Sequence, residues 1–135
     1  MRKLIATLVL GWMLMSGTTP VSAHAQLASA NPKAKSVLYV LPAQIKLMFS
    51  DDLIDLEAGN QIQVLDPKGK RIDNGANALF GNQLTTGLKP SSLLGRYSVT
   101  YRVLSEDGHP VSANYYFTLA KKPAKAAVTK APKQK

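Results

Sequence analysis

Two histidines occupy positions at which each could bind a metal ion. His109 lies two residues after Asp107 in the segment 105–110 (Ser-Glu-Asp-Gly-His-Pro), and His24 directly follows a Val-Ser-Ala motif at 21–23. If the chain is cleaved before His24, the α-amino nitrogen and the imidazole Nδ1 of this residue can close one chelate ring on a metal. Asp107 and His109 then add an oxygen and a further nitrogen. Such sets of nitrogen and oxygen donors in tetragonal geometry favour Cu(II), which also leads the divalent affinity order.

Each of these features also has a simpler explanation. An Asp-Gly pair near a histidine is typical of an ordinary hairpin loop, and a histidine at a cleavage site can be coincidental. An extended backbone would point Asp107 and His109 to the same side. A shared site further requires the N-terminal strand to lie beside the 104–111 turn, which the apolar pattern cannot show.

The first 23 residues predict a secretory signal peptide. Arg2 and Lys3 precede an uncharged apolar run at 4–15, and small or polar residues follow up to Ala23. This order of regions is that of a signal sequence, and the apolar run is shorter than the ~20 residues that span a bilayer. Export predicts a periplasmic protein that begins at His24. Cleavage after Ala25 is the alternative, and it would remove His24.

Composition excludes several kinds of site. The chain has no cysteine, which rules out disulfides, cysteine-ligated zinc and iron–sulfur clusters. The net charge is +9, but it is concentrated in a Lys/Ala/Pro-rich tail at 121–135, whereas residues 24–120 carry nine basic and eight acidic groups. We therefore expect a disordered tail, with weak attraction to anionic membrane surfaces as the alternative role for it. We also expect a folded domain without a nucleic-acid-binding face.

The elements that must position the candidate ligands are short strands. Apolar and polar residues alternate at 45–49, 62–64, 97–103 and 115–119, and this period of two predicts strands with one buried face. No stretch after the signal peptide shows a helical apolar stripe. The pattern predicts an all-β, immunoglobulin-like β-sandwich of about seven strands.

Several motifs resemble the CopC family of periplasmic copper-binding proteins. They are the His-Ala-Gln-Leu start at 24–27, the Asn-Pro pair at 31–32, the segment 45–51, the block 105–112 and the aromatic strand at 115–117. The resemblance covers 24–120 and implies a Greek-key sandwich that binds one Cu(II) per chain. It implies His24, through its amine and imidazole, together with Asp107 and His109 as the ligands. In some members an acidic residue after a Phe-Ser pair lies near the metal, and Asp51 occupies that position here.

These observations favour a noncatalytic carrier or buffer of Cu(II) in copper homeostasis or resistance. Its expected partner, besides the copper ion, is an inner-membrane copper transporter of the CopD type, and no nucleic acid is expected. A copper monooxygenase with an N-terminal histidine brace is one alternative, although the Asp107 carboxylate would fill a position that oxygen chemistry needs. A metal-free, immunoglobulin-like interaction module is the other. Met48 is the only methionine after the signal peptide, so we expect no thioether Cu(I) site.

Overall fold

The computed structural model describes residues 24–124 of the chain, and within this range the regular secondary structure consists of strands. The predicted signal peptide at 1–23 and residues 125–135 of the predicted tail lie outside the described residues. Between residues 24 and 124, no helix is long and apolar enough to cross a membrane.

Eight strands form two sheets of four. In chain order they are β1 (Leu27–Asn31), β2 (Val37–Leu38), β3 (Gln44–Phe49), β4 (Gln61–Leu65), β5 (Asp73–Phe80), β6 (Gln83–Leu88), β7 (Gly95–Leu104) and β8 (Pro110–Leu119). The strand order is β1-β3-β6-β5 in one sheet and β2-β8-β7-β4 in the other. Apart from β2, this arrangement is that of strands ABED and CFG in an immunoglobulin constant-type sandwich. The predicted sandwich is therefore confirmed, with a two-residue strand, β2, added parallel to β8.

The alternating runs correspond to real strands. The predicted strands lie within β3, β4, β7 and β8, and β7 and β8 pair over their full length. The hairpin of β5 and β6 lacks such a clear signal in the sequence. Strand β5 lies at a sheet edge, carries Asn and Gly residues, and contains a register shift between Asp73 and Asn77.

Side chains from both sheets meet in one core. Its largest fully buried members include Tyr97, Phe49, Phe117, Ile45, Leu47, Ile62 and Leu84. The rings of Tyr97 and Phe117 stack with centroids 5.3 Å apart, and those of Phe49 and Tyr101 meet edge to face at 5.5 Å. The periodic aromatic residues of β7 and β8 thus serve mainly as core packing.

A tyrosine corner fixes the entry into β7. The Tyr97 hydroxyl donates a hydrogen bond to the Leu93 carbonyl at 2.7 Å and lies 3.0 Å from the Ser91 hydroxyl. Strand β7 corresponds to strand F of the immunoglobulin fold. A contact from a tyrosine near the start of this strand to the backbone just upstream is a hallmark of immunoglobulin-like sandwiches. It ties the loop between β6 and β7 to the core.

Candidate metal centre

The N-terminal segment holds His24 at the end of β3. Ala25 is buried, and the Gln26 N–H donates to the Ser50 hydroxyl at 3.0 Å, while the Ser50 N–H donates to the Gln26 carbonyl at 2.8 Å. Strand β1 then pairs antiparallel with β3, with Leu27 opposite Phe49. His24 is itself exposed, but these contacts fix the backbone on its C-terminal side.

The turn between β7 and β8 holds the other two predicted ligands. The Gly108 N–H donates to the Ser105 carbonyl at 2.8 Å, and the Ser105 N–H donates to the His109 carbonyl at 3.0 Å. Gly108 has a φ of 83°, a left-handed conformation that favours glycine. A tight turn, rather than an extended backbone, therefore connects Asp107 and His109.

The structure brings His24, Asp107 and His109 together. Oδ2 of Asp107 lies 3.1 Å from Nδ1 of His24 and 3.0 Å from Nδ1 of His109. The two imidazole rings meet edge to face with centroids 5.1 Å apart. One potential ligand atom from each residue falls within 4.8 Å of the other two.

These distances fit the donor spacing of one metal ion. With metal–donor distances near 2 Å, neighbouring donors lie roughly 2.8 Å apart at right angles and roughly 3.3 Å apart at tetrahedral angles. Both contacts between the Asp107 carboxylate and the imidazoles fall in this range. An ion could replace the close contacts between these groups with small side-chain movements. Two imidazoles and a carboxylate suit copper, nickel or zinc better than calcium or magnesium.

Ser105, which sequence reasoning did not single out, orients the Asp107 carboxylate. It is fully buried, and its hydroxyl donates to Oδ1 of Asp107 and also lies 2.8 Å from the His109 carbonyl oxygen. The His109 N–H donates to the same Oδ1 at 3.1 Å. These hydrogen bonds hold the pKa of Asp107 well below its ordinary value, and the bond from Ser105 has the largest effect. The carboxylate is thus kept ionised, with Oδ2 directed at the imidazoles.

Asn60 connects the turn to the loop after β3. Its side-chain amide donates to the Ile54 carbonyl at 2.7 Å, and its side-chain oxygen accepts the Leu104 N–H at 3.0 Å. The Ile54 N–H donates to the Leu104 carbonyl at 2.9 Å. A buried asparagine thus fixes the end of β7 just before the turn at 105–110, which carries Asp107 and His109 and which we call the ligand turn. No local pattern reveals this role, because Asn60 and Leu104 are 44 residues apart.

The structure does not bring Asp51 into the group. Its carboxylate accepts a hydrogen bond from the Ser50 hydroxyl, which in turn accepts the Gln26 N–H. Asp51 therefore supports the segment after His24. The neighbouring acidic side chains at 52, 55 and 57 are exposed, as expected of a solvated loop. Met48 is 38% exposed on the outer face of β3, so it does not belong to the core.

The structure is thus an immunoglobulin-like sandwich with a His-Asp-His group at one end whose donor atoms could hold one metal ion. The family model described as the CopC domain matches residues 27–120. The chain belongs to the CopC family.

Similar proteins include copper resistance protein C of Escherichia coli, 28% identical over 81% of this chain and 91% of that protein. Protein YobA of Escherichia coli K12 is 31% identical over 76% of this chain and 83% of its own length. Copper transport protein CutJ of Bacillus subtilis is 28% identical over 73% of this chain, a match that spans 18% of CutJ.

Among solved structures, CopC from Methylosinus trichosporium OB3b superposes with a TM-score of 0.62 at 33% identity, covering 76% of this chain and 99% of that one. PcoC, a methionine-rich copper resistance protein from Escherichia coli, gives a TM-score of 0.59 at 24% identity, covering 72% of this chain and 99% of its own. The second likeness concerns the fold alone. Both neighbours agree with the β-sandwich described above.

Proposed function

We propose that this chain is a periplasmic Cu(II)-binding protein that carries or buffers copper. The observation that carries the proposal is the convergence of Nδ1 of His24, Oδ2 of Asp107 and Nδ1 of His109 at one end of the sandwich. Cleavage before His24 would add the α-amino nitrogen as a fourth donor. The resulting set of three nitrogens and one oxygen favours Cu(II) in tetragonal geometry, one ion per chain.

The names of the relatives support copper over nickel or zinc. Two of them are a copper resistance protein and a copper transport protein. The match covers only a small part of CutJ, so a domain like this one forms part of a larger copper transport protein. This supports a role in which the bound ion passes to membrane transport machinery, for which a CopD-type transporter is the proposed partner.

A carrier role agrees better with the geometry than oxygen chemistry does. The ionised Asp107 carboxylate contacts both imidazoles and would itself occupy a coordination position on a bound metal ion. Oxygen activation requires an open position at the copper ion. The three residues are also classed as exposed, which suits the capture and release of an ion at the surface.

The test uses the chain that starts at His24, titrated with Cu(II) and followed by EPR. We expect one equivalent to bind with the spectrum of a tetragonal nitrogen–oxygen site. His109→Ala, or a glycine added before His24, should each weaken binding at least 100-fold, since either removes a donor or the terminal chelate. Asp51→Ala should have a smaller effect, because Asp51 lies outside the group.

Three results would contradict the proposal. The first is a His109→Ala variant that binds Cu(II) as tightly as the parent. The second is a copper-loaded protein that consumes oxygen with a reductant and oxidises a polysaccharide, which would favour the monooxygenase. Intact-mass analysis of exported protein should show a start at His24, whereas a start at Gln26 would remove the proposed chelate.

A further inference from the structure

The exposed acidic groups of the described domain gather at the end that holds the His-Asp-His group. Six of the eight acidic residues lie there, in the ligand turn or in the loop that the Ile54–Leu104 hydrogen bond attaches to it. They are Asp51, Asp52, Asp55, Glu57, Glu106 and Asp107. The other two, Asp66 and Asp73, are buried. Asp66 accepts the Lys68 and Lys70 N–H groups, and Asp73 pairs with Arg71 at 2.8 Å.

The opposite end is basic, and we call it the basic end. Three contacts define it: Gly95 pairs with Leu119, the Ala120 N–H donates to the Leu38 carbonyl at 2.8 Å, and Gly95 lies against Pro67. The segments around 38–43, 66–70, 89–96 and 119–122 therefore lie together. Their exposed basic side chains are Lys68, Lys70, Lys89, Arg96, Lys121 and Lys122.

The basic end also exposes large apolar side chains. Val40 is 80% exposed, Leu94 57% and Tyr39 50%. Val40 and Pro90 line a shallow cavity of about 310 Å³, with Lys89 at its edge. Apolar side chains that are exposed together and surrounded by polar groups are typical of contact surfaces for proteins or membranes.

We propose that the basic end docks on an anionic lipid membrane. Apolar side chains flanked by Lys and Arg are the combination that binds at the headgroup boundary of anionic bilayers. In this arrangement Tyr39, Val40 and Leu94 enter the interface, while Lys89 and Lys121 meet lipid phosphates. No exposed carboxylate of residues 24–124 lies at this end to oppose the contact.

The chain that leaves this end has the same charge. Beyond residue 124 the sequence carries four more lysines and no acidic residue. They follow directly from Lys121 and Lys122, which lie next to the proposed surface. Each basic group close to an anionic surface is expected to strengthen binding ~5-fold.

This docking would hold the copper site away from the lipid. The nine residue steps of β8 from Leu119 at the basic end to Pro110 at the ligand turn span roughly 30 Å. The acidic end, which anionic lipid repels, would face away from the bilayer. The His-Asp-His group would then remain open to a metal ion or to a partner protein while the domain is on the membrane.

The test measures co-sedimentation of the chain 24–135 with vesicles of phosphatidylglycerol and phosphatidylethanolamine, and with phosphatidylcholine vesicles for comparison. We expect binding to the anionic vesicles only, with a loss of at least tenfold in 0.5 M salt because screening weakens surface charge. Val40→Asp and the double variant Lys121→Glu/Lys122→Glu should each lower the partition coefficient at least tenfold.

Two controls introduce an acidic side chain at other places in place of an apolar or a basic one. Phe80 is 85% exposed at the tip of the β5–β6 hairpin, where Gly81 accepts the Leu53 N–H near the acidic end, so Phe80→Asp should leave binding unchanged. Lys46→Glu, in the middle of β3, should change binding by less than threefold. Thermal unfolding of every variant checks that the fold is intact.

Each alternative outcome overturns the proposal. Absence of binding to anionic vesicles excludes a membrane surface. Binding that is lost in the chain 24–124 but unaffected by Val40→Asp assigns the effect to the tail alone. Concentration-dependent association without vesicles, abolished by Val40→Asp, would assign the basic end to contact between copies of this chain. Because none of these measurements requires copper, their failure leaves the proposed copper function untouched.

Discussion

The buried hydroxyl of Ser105 binds one oxygen of the Asp107 carboxylate while the other oxygen faces both imidazoles. The same hydroxyl lies 2.8 Å from the His109 carbonyl oxygen, so one buried residue contacts both ligand positions of the turn. Ser105 also forms an isolated antiparallel β-bridge with Leu53, in the loop after β3. The two proposed ligands on the turn are thus oriented from the interior of the sandwich, although both residues lie at the surface.

We therefore expect Ser105→Ala to weaken Cu(II) binding by about 10–100-fold, the usual effect of losing a residue that orients a ligand. The carboxylate would lose its strongest hydrogen bond and gain rotational freedom. Competition against a chelator of known affinity, together with EPR, measures the change. Ser112→Ala, at an exposed position of β8, is the control and should leave the Cu(II) affinity unchanged. An unchanged affinity in Ser105→Ala, with Asp107→Ala strongly impaired, would contradict the orienting role.

Copper affinity should fall as pH decreases from 8 to 5, because metal binding must displace protons from the nitrogen donors. The hydrogen bonds from Ser105 and from the His109 N–H keep the pKa of Asp107 well below its ordinary value, so its carboxylate stays ionised through this interval. Asp107→Asn should therefore lower affinity at every pH from 5 to 8 while the slope with pH remains similar. A slope that disappears in Asp107→Asn would show that the carboxylate is the titrating donor.

The tyrosine corner should contribute to stability but not to metal binding. Tyr97→Phe removes the hydroxyl that donates to Leu93 and contacts Ser91, and it leaves these half-buried groups without their partner. We expect the free energy of unfolding to fall by about 1–2 kcal/mol, measured by urea denaturation, with unchanged copper stoichiometry. Tyr116→Phe is the control, because it retains the ring that lies 4.1 Å from the Arg96 guanidinium carbon. If both substitutions lowered the free energy of unfolding by the same amount, Tyr97 would have no special role in stability.

Deletion of residues 121–135 should leave both the melting midpoint and the copper stoichiometry unchanged. Strand β8 ends at Leu119, and the last backbone hydrogen bond of the strand region is that from the Ala120 N–H to Leu38. Residues 121–124 are exposed and belong to no strand. Differential scanning calorimetry with and without Cu(II) tests this expectation. A midpoint that falls by several degrees would show that the tail packs on the domain.

Local sequence determined the strand faces and the ligand types. Alternation at 97–103 and 115–119 predicted β7 and β8 because a strand with one buried face must repeat every two residues. The residues at 24, 107 and 109 were identified from their donor atoms and from the short spacing within the turn. The hairpin of β5 and β6 was missed, since an edge strand with Asn and Gly residues carries little apolar periodicity.

Only the tertiary structure decided that His24 meets the turn at 105–110, more than 80 residues away in sequence. The encounter depends on β1 pairing with β3 in one sheet while β7 and β8 form the other, and no local pattern specifies which strands become neighbours. The roles of Ser105 and Asn60 emerged for the same reason, because a buried hydrogen bond joins groups by their position in space. The gathering of exposed acidic groups at one end, and of several basic groups at the other, likewise follows from the antiparallel course of the strands, which brings distant loops together at each end of the sandwich.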